Sequence, residues 1–236
     1  ETILDFVRAS KESLAEAMRE LNIPYRDSDY AVYKRFNDAV WREYERGTLS
    51  KKALMTERFV RFFDYLKVVA DVGRANEIYF GRICRSGYLL DGAMEFLLEL
   101  KKRGKIFLIT NGTPAAQYGR LDSLGLRDFF DGIYVSDEIG FAKPDRRFFE
   151  YVLGDAGLKR EECLVIGDSV SSDIAGANNA NILCIRYNPK KLPAEGAKAD
   201  FEADSYEKIL AISVKCDIIK IPTCNSFRNY LYFGIY

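Results

Sequence analysis

The stretch Leu164-Val-Ile-Gly-Asp-Ser-Val-Ser-Ser-Asp173 decides the fold of this chain. It begins as an apolar run, typical of a strand buried in a parallel sheet, and Asp168 follows at the carboxyl end of that strand. A short turn then leads into a helix whose first turn holds Asp173. Carboxylates at a strand end are hard oxygen ligands that suit Mg²⁺, so Asp168 is the candidate metal ligand. A structural alternative stays open, in which Ser171 or Ser172 caps the helix and the carboxylates only stabilise the loop and the helix dipole.

The same rhythm of short apolar strand, turn and helix extends on both sides of this stretch. The predicted strands cover residues 105–110, 132–135, 162–167 and 182–186. The predicted helices cover residues 91–103, 145–156 and 172–180, and a further helix ends near residue 124. Such alternation predicts an α/β fold of three layers, a doubly wound parallel sheet with helices on both faces. Sheets of this kind bind ligands beyond the carboxyl ends of their strands.

A second polar cluster, Ile109-Thr-Asn-Gly-Thr113, follows the strand predicted over residues 105–110. Thr110 offers a hydroxyl, and the N–H groups of Asn111 and Gly112 lead toward a helix N-terminus, where anions bind well. These three residues therefore predict a phosphate cradle, although an ordinary strand-to-helix turn would have the same sequence.

A third cluster, Ala142-Lys-Pro-Asp145, stands before a predicted helix. The proline biases Lys143 toward extended geometry. A fixed ammonium at this place would neutralise a phosphoryl group. A solvated lysine is the simpler alternative for an isolated Lys-Pro pair.

The composition excludes several classes of protein. The 236 residues contain no histidine, which rules out Ser-His and Cys-His nucleophilic catalysis and His-ligated zinc. The 35 Lys and Arg residues balance 35 Asp and Glu residues, so neither a nucleic acid nor a membrane surface is expected as a partner. The five cysteines form no Cys-x-x-Cys pair. Because their number is odd, a full disulfide framework is not expected, which favours a reducing, cytoplasmic setting.

Residues 5–88 have a helical pattern with few strand signals, and Ser50 is a plausible N-cap for one of these helices. This half of the chain is dense in aromatic side chains: Tyr30, Tyr33, Phe36, Trp41 and Tyr44. Packing in a helix-bundle core explains them more simply than stacking against a ligand.

The order and spacing of the three polar clusters resemble the second, third and fourth motifs of the haloacid-dehalogenase-like phosphohydrolase superfamily. The resemblance implies a core of residues 1–4 and 89–211 with an inserted helical cap over residues 5–88. Residues 212–236 are then a C-terminal extension of unknown role.

Within that superfamily, residues 1–6 and 187–189 resemble the pyrimidine 5′-nucleotidase branch. The implied activity is Mg²⁺-dependent hydrolysis of a small phosphate monoester, a pyrimidine nucleoside 5′-monophosphate, through an aspartyl-phosphate. The implied metal ligand is Asp168, and Asp173 supports the metal shell or orients Lys143. The phosphate is bound by Thr110, Asn111, Gly112 and Lys143, and the implied catalytic residues are Thr110, Lys143 and Asp173.

The chain departs from the family at its first motif, Asp-x-Asp-x-Thr, which supplies the nucleophile and the acid/base. Only Thr2 matches the end of that motif, so the resemblance places both aspartates upstream of Glu1, and Asp5 is an improbable substitute. The first strand of the core is then truncated. Its neighbours are expected to lose ladder hydrogen bonds, each at a cost of roughly 1–3 kcal/mol. A tail segment such as residues 216–221 could fill the slot, although it contains no Asp-x-Asp pair.

Two rival hypotheses stay open. Haloacid dehalogenases and sugar-phosphate phosphatases have the same fold, and Mg²⁺ dependence separates the dehalogenases, which need no metal. A chain without its nucleophile could also bind phosphate or a partner without turnover.

Overall fold

The computed structural model describes residues 2–218 and 229–233. Within these ranges, six strands form one sheet in which all neighbouring strands are parallel. The strands are β1 (Lys105–Thr110), β2 (Gly132–Val135), β3 (Cys163–Gly167), β4 (Leu183–Tyr187), β5 (Phe201–Ala203) and β6 (Asn229–Phe233).

Ten α-helices accompany the sheet within the described ranges. The first four form what we call the helical segment: α1 (Phe6–Glu20), α2 (Tyr30–Glu45), α3 (Lys51–Leu66) and α4 (Val72–Ile83). The other six are α5 (Ala93–Lys101), α6 (Pro114–Ser123), α7 (Ser136–Ile139), α8 (Arg146–Asp155), α9 (Ala175–Ala180) and α10 (Tyr206–Ile218). None of these helices is both long and apolar enough to cross a membrane.

The strands lie in the order β2-β1-β6-β3-β4-β5, so β6 is central although it comes last in the chain. Leu231 of β6 is in register with Phe107 of β1 on one side and Val165 of β3 on the other. The expectation that the slot beside β1 and β3 lacks a strand is therefore wrong, because β6 pairs with both neighbours. Residues 216–218, proposed above as a filler, belong to α10 instead, and residues 219–221 lie outside the described residues.

Helices cover both faces of the sheet, which confirms the predicted three-layer α/β fold. Ile106 of β1 joins a core with Leu97 of α5 and Ile209 of α10. The next residue, Phe107, joins a separate core that includes Phe148 of α8. Successive residues of a strand point to opposite faces, so one buried strand contributes to both cores.

The helical segment has a hydrophobic core of its own. Tyr33 is completely buried there, and its ring centroid lies 5.5 Å from that of Phe59, 5.4 Å from that of Phe62 and 5.6 Å from that of Tyr79. Ring pairs at such distances stabilise a core beyond their buried area. Tyr33 is therefore a packing residue, as its place in an aromatic-rich helix predicts.

The two connections between the helical segment and the sheet lie side by side. Leu4 forms an antiparallel bridge with Leu89, and the Asp5 N–H donates to the Tyr88 carbonyl at 2.8 Å. Asp5 also caps α1, because its side chain accepts the N–H of Arg8. Its carboxylate is thus used at the start of the helical segment, which agrees with its exclusion as a replacement nucleophile.

The chain after β3 begins its helix two or three residues earlier than a cap at Ser171 or Ser172 requires. A π-helical turn, Val170–Ile174, leads into α9, and the Ser169 hydroxyl accepts the Ser172 N–H at 3.2 Å. Ser169 is therefore the N-cap, and the structural alternative that assigned this role to Ser171 or Ser172 is wrong.

Replacement of Leu231 by proline tests the central place of β6. Proline removes the backbone N–H and leaves a ladder carbonyl unpaired. We expect the free energy of unfolding to fall by roughly 1–3 kcal/mol or more, measured by urea denaturation. The control is Glu195→Pro in an exposed loop. Equal urea midpoints for the two variants would contradict the central position of β6.

Candidate active site

The turn between β1 and α6 is joined to the loop before α8 by one amide side chain. The Asn111 Nδ2 donates to the Lys143 carbonyl at 2.8 Å, and the Asn111 Oδ1 accepts the Lys143 N–H at 2.9 Å. The Gly112 N–H donates to the Thr110 hydroxyl at 3.0 Å, which tightens the turn. The second and third polar clusters of the sequence are therefore held together through Asn111.

Lys143 is a buried cation. Its Nζ donates to Asp173 Oδ1 at 2.7 Å and to the Ile109 carbonyl at 3.3 Å. Only 3% of the Lys143 side chain and 1% of the Asp173 side chain are exposed. A buried charge needs a partner of opposite charge, so the solvated lysine considered from the sequence is wrong. The ammonium is fixed in one place at the carboxyl edge of the sheet.

Asp173 uses both of its carboxylate oxygens inside the chain. While Oδ1 accepts from Lys143, Oδ2 accepts the Ser169 N–H at 3.1 Å. Burial raises the pKa of Asp173, the negative charge of Asp168 raises it further, and the Lys143 ammonium opposes both effects. This geometry favours the orientation of Lys143 as the role of Asp173, over direct contact with a metal.

Asp168 stands at the carboxyl end of β3 and is partly exposed. The buried Thr2 hydroxyl donates to Asp168 Oδ1 at 2.9 Å. The Thr2 carbonyl in turn accepts the Tyr206 hydroxyl at 2.8 Å. The start of the chain is therefore anchored directly beside the carboxylate that the sequence predicts as a metal ligand.

The helical segment reaches this edge of the sheet through the last residue of α2, Glu45, and the first residue of α3, Lys51. Ser171 donates to Glu45 Oε2 at 2.8 Å. Burial raises the pKa of Glu45, and the hydrogen bond from Ser171 opposes that shift. On the other side, the Lys51 ammonium donates to the Asn111 carbonyl at 2.6 Å. The facing ends of α2 and α3 thus contact the turns that follow both β1 and β3.

A cavity of about 200 Å³ lies between the helical segment and the sheet edge and extends to Asp168. Its lining mixes apolar, charged and amide groups, which suits a polar organic molecule. From the helices the lining includes Phe6, Tyr30, Lys34, Asn37 and Asp38, and from the sheet edge Asp168, Arg186, Tyr187 and Asn188. A ligand in this cavity would lie against the candidate metal carboxylate.

The carboxylates at the edge are compatible with a Mg²⁺ ion that is bound by few protein ligands. The described residues contain no group of three Asp, Glu, Cys or His side chains placed to hold a metal. Mg²⁺ is often bound through one or two protein carboxylates, with water and substrate phosphate completing the shell. Asp168 is the partly exposed carboxylate that fits this mode, and Asp173 is buried and occupied by other partners.

Comparison with protein families identifies the fold. Residues 1–181 match the family model described as haloacid dehalogenase-like hydrolase. The chain belongs to the haloacid dehalogenase-like hydrolase family.

Relatives of this hydrolase span most of its length. Pyrimidine 5′-nucleotidase PynA of Streptococcus pneumoniae is 33% identical over 216 residues, which are 89% of this chain and 90% of the relative. Pyrimidine 5′-nucleotidase YjjG of Escherichia coli is 33% identical over 183 residues, 77% of this chain and 80% of the relative. The solved structure of the putative hydrolase YfnB of Bacillus subtilis, described as bound to magnesium, superposes with a TM-score of 0.83. It is 30% identical and covers 89% of this chain and 93% of its own.

The hydrolase fold brings together most of the residues singled out in the sequence. Lys143 contacts both Asn111 and Asp173, whereas the negative charge of Asp168 raises the pKa of Asp173. Sequence reasoning missed Glu45 and Lys51, which the helical segment brings to the same edge. The one local signal was a lysine directly after the predicted cap Ser50, at the helix end where the dipole disfavours a cation.

Replacement of Gly167 by alanine tests the packing behind Asp173. A Cβ at this position would lie 2.5 Å from Asp173 Oδ2 and 2.6 Å from Asp173 Cβ, so alanine fits only if Asp173 or the end of β3 shifts. We expect the free energy of unfolding to fall by roughly 1–3 kcal/mol, measured by chemical denaturation. Gly154→Ala in α8, where a Cβ meets no atom within 4 Å, is the control. Equal losses in the two variants would count against the packing argument.

Proposed function

We propose that this hydrolase cleaves phosphate monoesters in a Mg²⁺-dependent reaction. The observation that carries the proposal is the buried Lys143 ammonium, held by Asp173 at 2.7 Å and tied through its backbone to the Asn111 turn. A fixed, desolvated cation at a strand edge stabilises the charge on a phosphoryl group far better than a mobile surface lysine does. A partly exposed carboxylate, Asp168, lies on the same edge for a metal.

In this proposal, each residue at the sheet edge has a separate role in the reaction. The Thr110 hydroxyl and the Asn111-Gly112 turn bind phosphate oxygens, and Lys143 neutralises their charge. Asp173 keeps Lys143 oriented. Asp168 would hold Mg²⁺, which supplies charge neutralisation at the phosphate when bound.

The nucleophile and the acid/base are proposed to be the two aspartates of the family's first motif. The last residue of that motif aligns with Thr2. The hydrogen bond from Thr2 to Asp168 supports this proposal, because Thr2, which aligns with the last residue of that motif, contacts the carboxylate proposed to hold the metal. The β6 segment, Asn229-Tyr-Leu-Tyr-Phe233, contains no carboxylate. It therefore supplies a strand of the sheet and no replacement for the aspartates.

We further propose a nucleoside 5′-monophosphate, preferably a pyrimidine one, as the substrate. Two relatives that span most of the chain are named pyrimidine 5′-nucleotidases. The cavity of about 200 Å³ beside Asp168 is compact and has both apolar walls and hydrogen-bonding groups, as a nucleoside requires. The helical segment lines this cavity, and as the proposed cap it would exclude water from the bound ester.

Substitution of Asp168 tests the metal assignment. We call a protein that also contains the first motif of the family the full-length protein. In it, Asp168→Asn should lower the Mg²⁺-dependent rate on a generic phosphate ester by roughly 100-fold or more. The rate is measured by phosphate release as a function of Mg²⁺ concentration. Asp128→Asn, an exposed carboxylate away from the edge, should leave the rate unchanged. A full rate in Asp168→Asn would overturn the assignment.

Steady-state kinetics on a panel of esters test the substrate. We expect kcat/KM for pyrimidine nucleoside 5′-monophosphates to exceed that for purine nucleotides and sugar phosphates by at least about tenfold, or roughly 1.4 kcal/mol. The full-length protein is assayed with each ester at the same Mg²⁺ concentration. An equal kcat/KM for sugar phosphates would remove the nucleotidase proposal and leave a general phosphatase. Turnover of a haloacid without metal would replace the proposal with a dehalogenase.

A further inference from the structure

The helical segment brings the ammonium group of Lys51 to the sheet edge, where it is fully hydrogen-bonded. Its Nζ lies 2.6 Å from the Asn111 carbonyl, 3.0 Å from the Gly112 carbonyl and 2.6 Å from Asp137 Oδ1. An ammonium has three N–H donors, and here each has an acceptor. Only 16% of the side chain is exposed.

The position of Lys51 in its helix is unfavourable by itself. It is the first residue of α3, directly after the N-cap Ser50, whose side chain accepts the Ala53 N–H. The N-terminus of a helix carries a partial positive charge, so a lysine there opposes the dipole. Burial also disfavours the ammonium and lowers the pKa of Lys51. The contacts with the sheet edge are what offset these costs.

The two carbonyls that Lys51 contacts belong to the peptide groups of the predicted phosphate cradle. The Asn111 carbonyl shares its peptide with the Gly112 N–H, and the Gly112 carbonyl shares its peptide with the N–H of Thr113, the N-cap of α6. A cation bonded to a carbonyl polarises the whole amide, and the attached N–H becomes a stronger donor. The Gly112 N–H donates to the Thr110 hydroxyl at 3.0 Å, so Lys51 acts on that contact within the cradle and on the Thr113 N–H at the start of α6.

Several contacts hold the backbone of this turn in its shape. A Cβ on Gly112 would lie 2.0 Å from the Gln117 side chain, so the backbone passes close against α6. Asn111 is tied to Lys143 on one side, and Lys51 ties the same residue to the helical segment on the other. The cradle is thus clamped between the sheet edge and the helical segment.

We propose that Lys51 is a positioning residue of the helical segment, which holds and polarises the Asn111-Gly112-Thr113 turn and so strengthens phosphate binding when the segment is docked. The proposal rests on the phosphatase function proposed above. It assigns to α3 a part in phosphate affinity, in addition to any part in covering the site. Asp137 has a different task, since it neutralises the ammonium and belongs to α7 rather than to the cradle.

The test measures the affinity of the full-length protein for inorganic orthophosphate by isothermal titration calorimetry at fixed Mg²⁺, together with kcat and KM. For Lys51→Met we expect the Kd of orthophosphate to rise about tenfold and kcat/KM to fall roughly 10- to 100-fold. Lys51→Arg keeps cationic donors and should stay within about threefold of wild type. The matched control is Lys52→Met, the exposed neighbour on the same helix, which should not change the Kd.

The Asp137→Asn variant separates two roles of Lys51. One is polarisation of the phosphate cradle, and the other is attachment of the helical segment to the sheet edge. This variant removes the ion pair but leaves the contacts of Lys51 with both carbonyls, so the Kd of orthophosphate should change less than about threefold. A loss in Asp137→Asn as large as that in Lys51→Met would mean that Lys51 is only a docking contact. Circular dichroism confirms folding, and Lys51→Arg and Asp137→Asn keep the test valid if Lys51→Met does not fold.

The outcomes also separate this inference from the proposed function. If the wild type hydrolyses phosphate esters and Lys51→Met binds orthophosphate equally well, the inference is wrong and the phosphatase stands. If the wild type neither binds orthophosphate nor hydrolyses an ester, the phosphatase proposal fails and the role of Lys51 fails with it.

Discussion

The buried ion pair between Lys143 and Asp173 is the interaction on which the rest of the site depends. A pair with almost no exposed side chain is stable only if its remaining donors and acceptors are also satisfied, because both ions have lost their water. The chain meets this requirement from β1, from the turn after β1 and from the turn after β3. Asn111 holds the Lys143 backbone, the Ile109 carbonyl accepts from its ammonium, and the Ser169 N–H occupies the second oxygen of Asp173.

The parallel sheet makes this convergence possible, because the carboxyl ends of its strands share one edge. The β6 strand separates β1 from β3, so their terminal turns stand about 10 Å apart across two strand spacings. Lys143 comes from neither strand. It enters from the loop before α8 and bridges the gap, with Asn111 on one side and Asp173 on the other.

The helical segment completes the edge from above the strands. The start of α3 contacts the turn after β1 through Lys51, and the end of α2 contacts the turn after β3 through Glu45. The segment also has an aromatic core around Tyr33. Tyr30 belongs to this core and also lines the cavity, so the cavity wall and the packing of the segment are joined at this residue.

The sequence alone determined the strands β1 and β2 to the residue, the layered α/β class and the three polar clusters, since apolar runs and turn residues are local signals. Only the tertiary structure decided what the clusters do to one another. Asn111 and Lys143 are 32 positions apart, and Lys51 is 60 positions from the carbonyl that it contacts. No local sequence pattern specifies a contact between residues so far apart along the chain. The central place of β6 and the burial of Lys143 follow from the same cause, because both depend on which distant segments pack together.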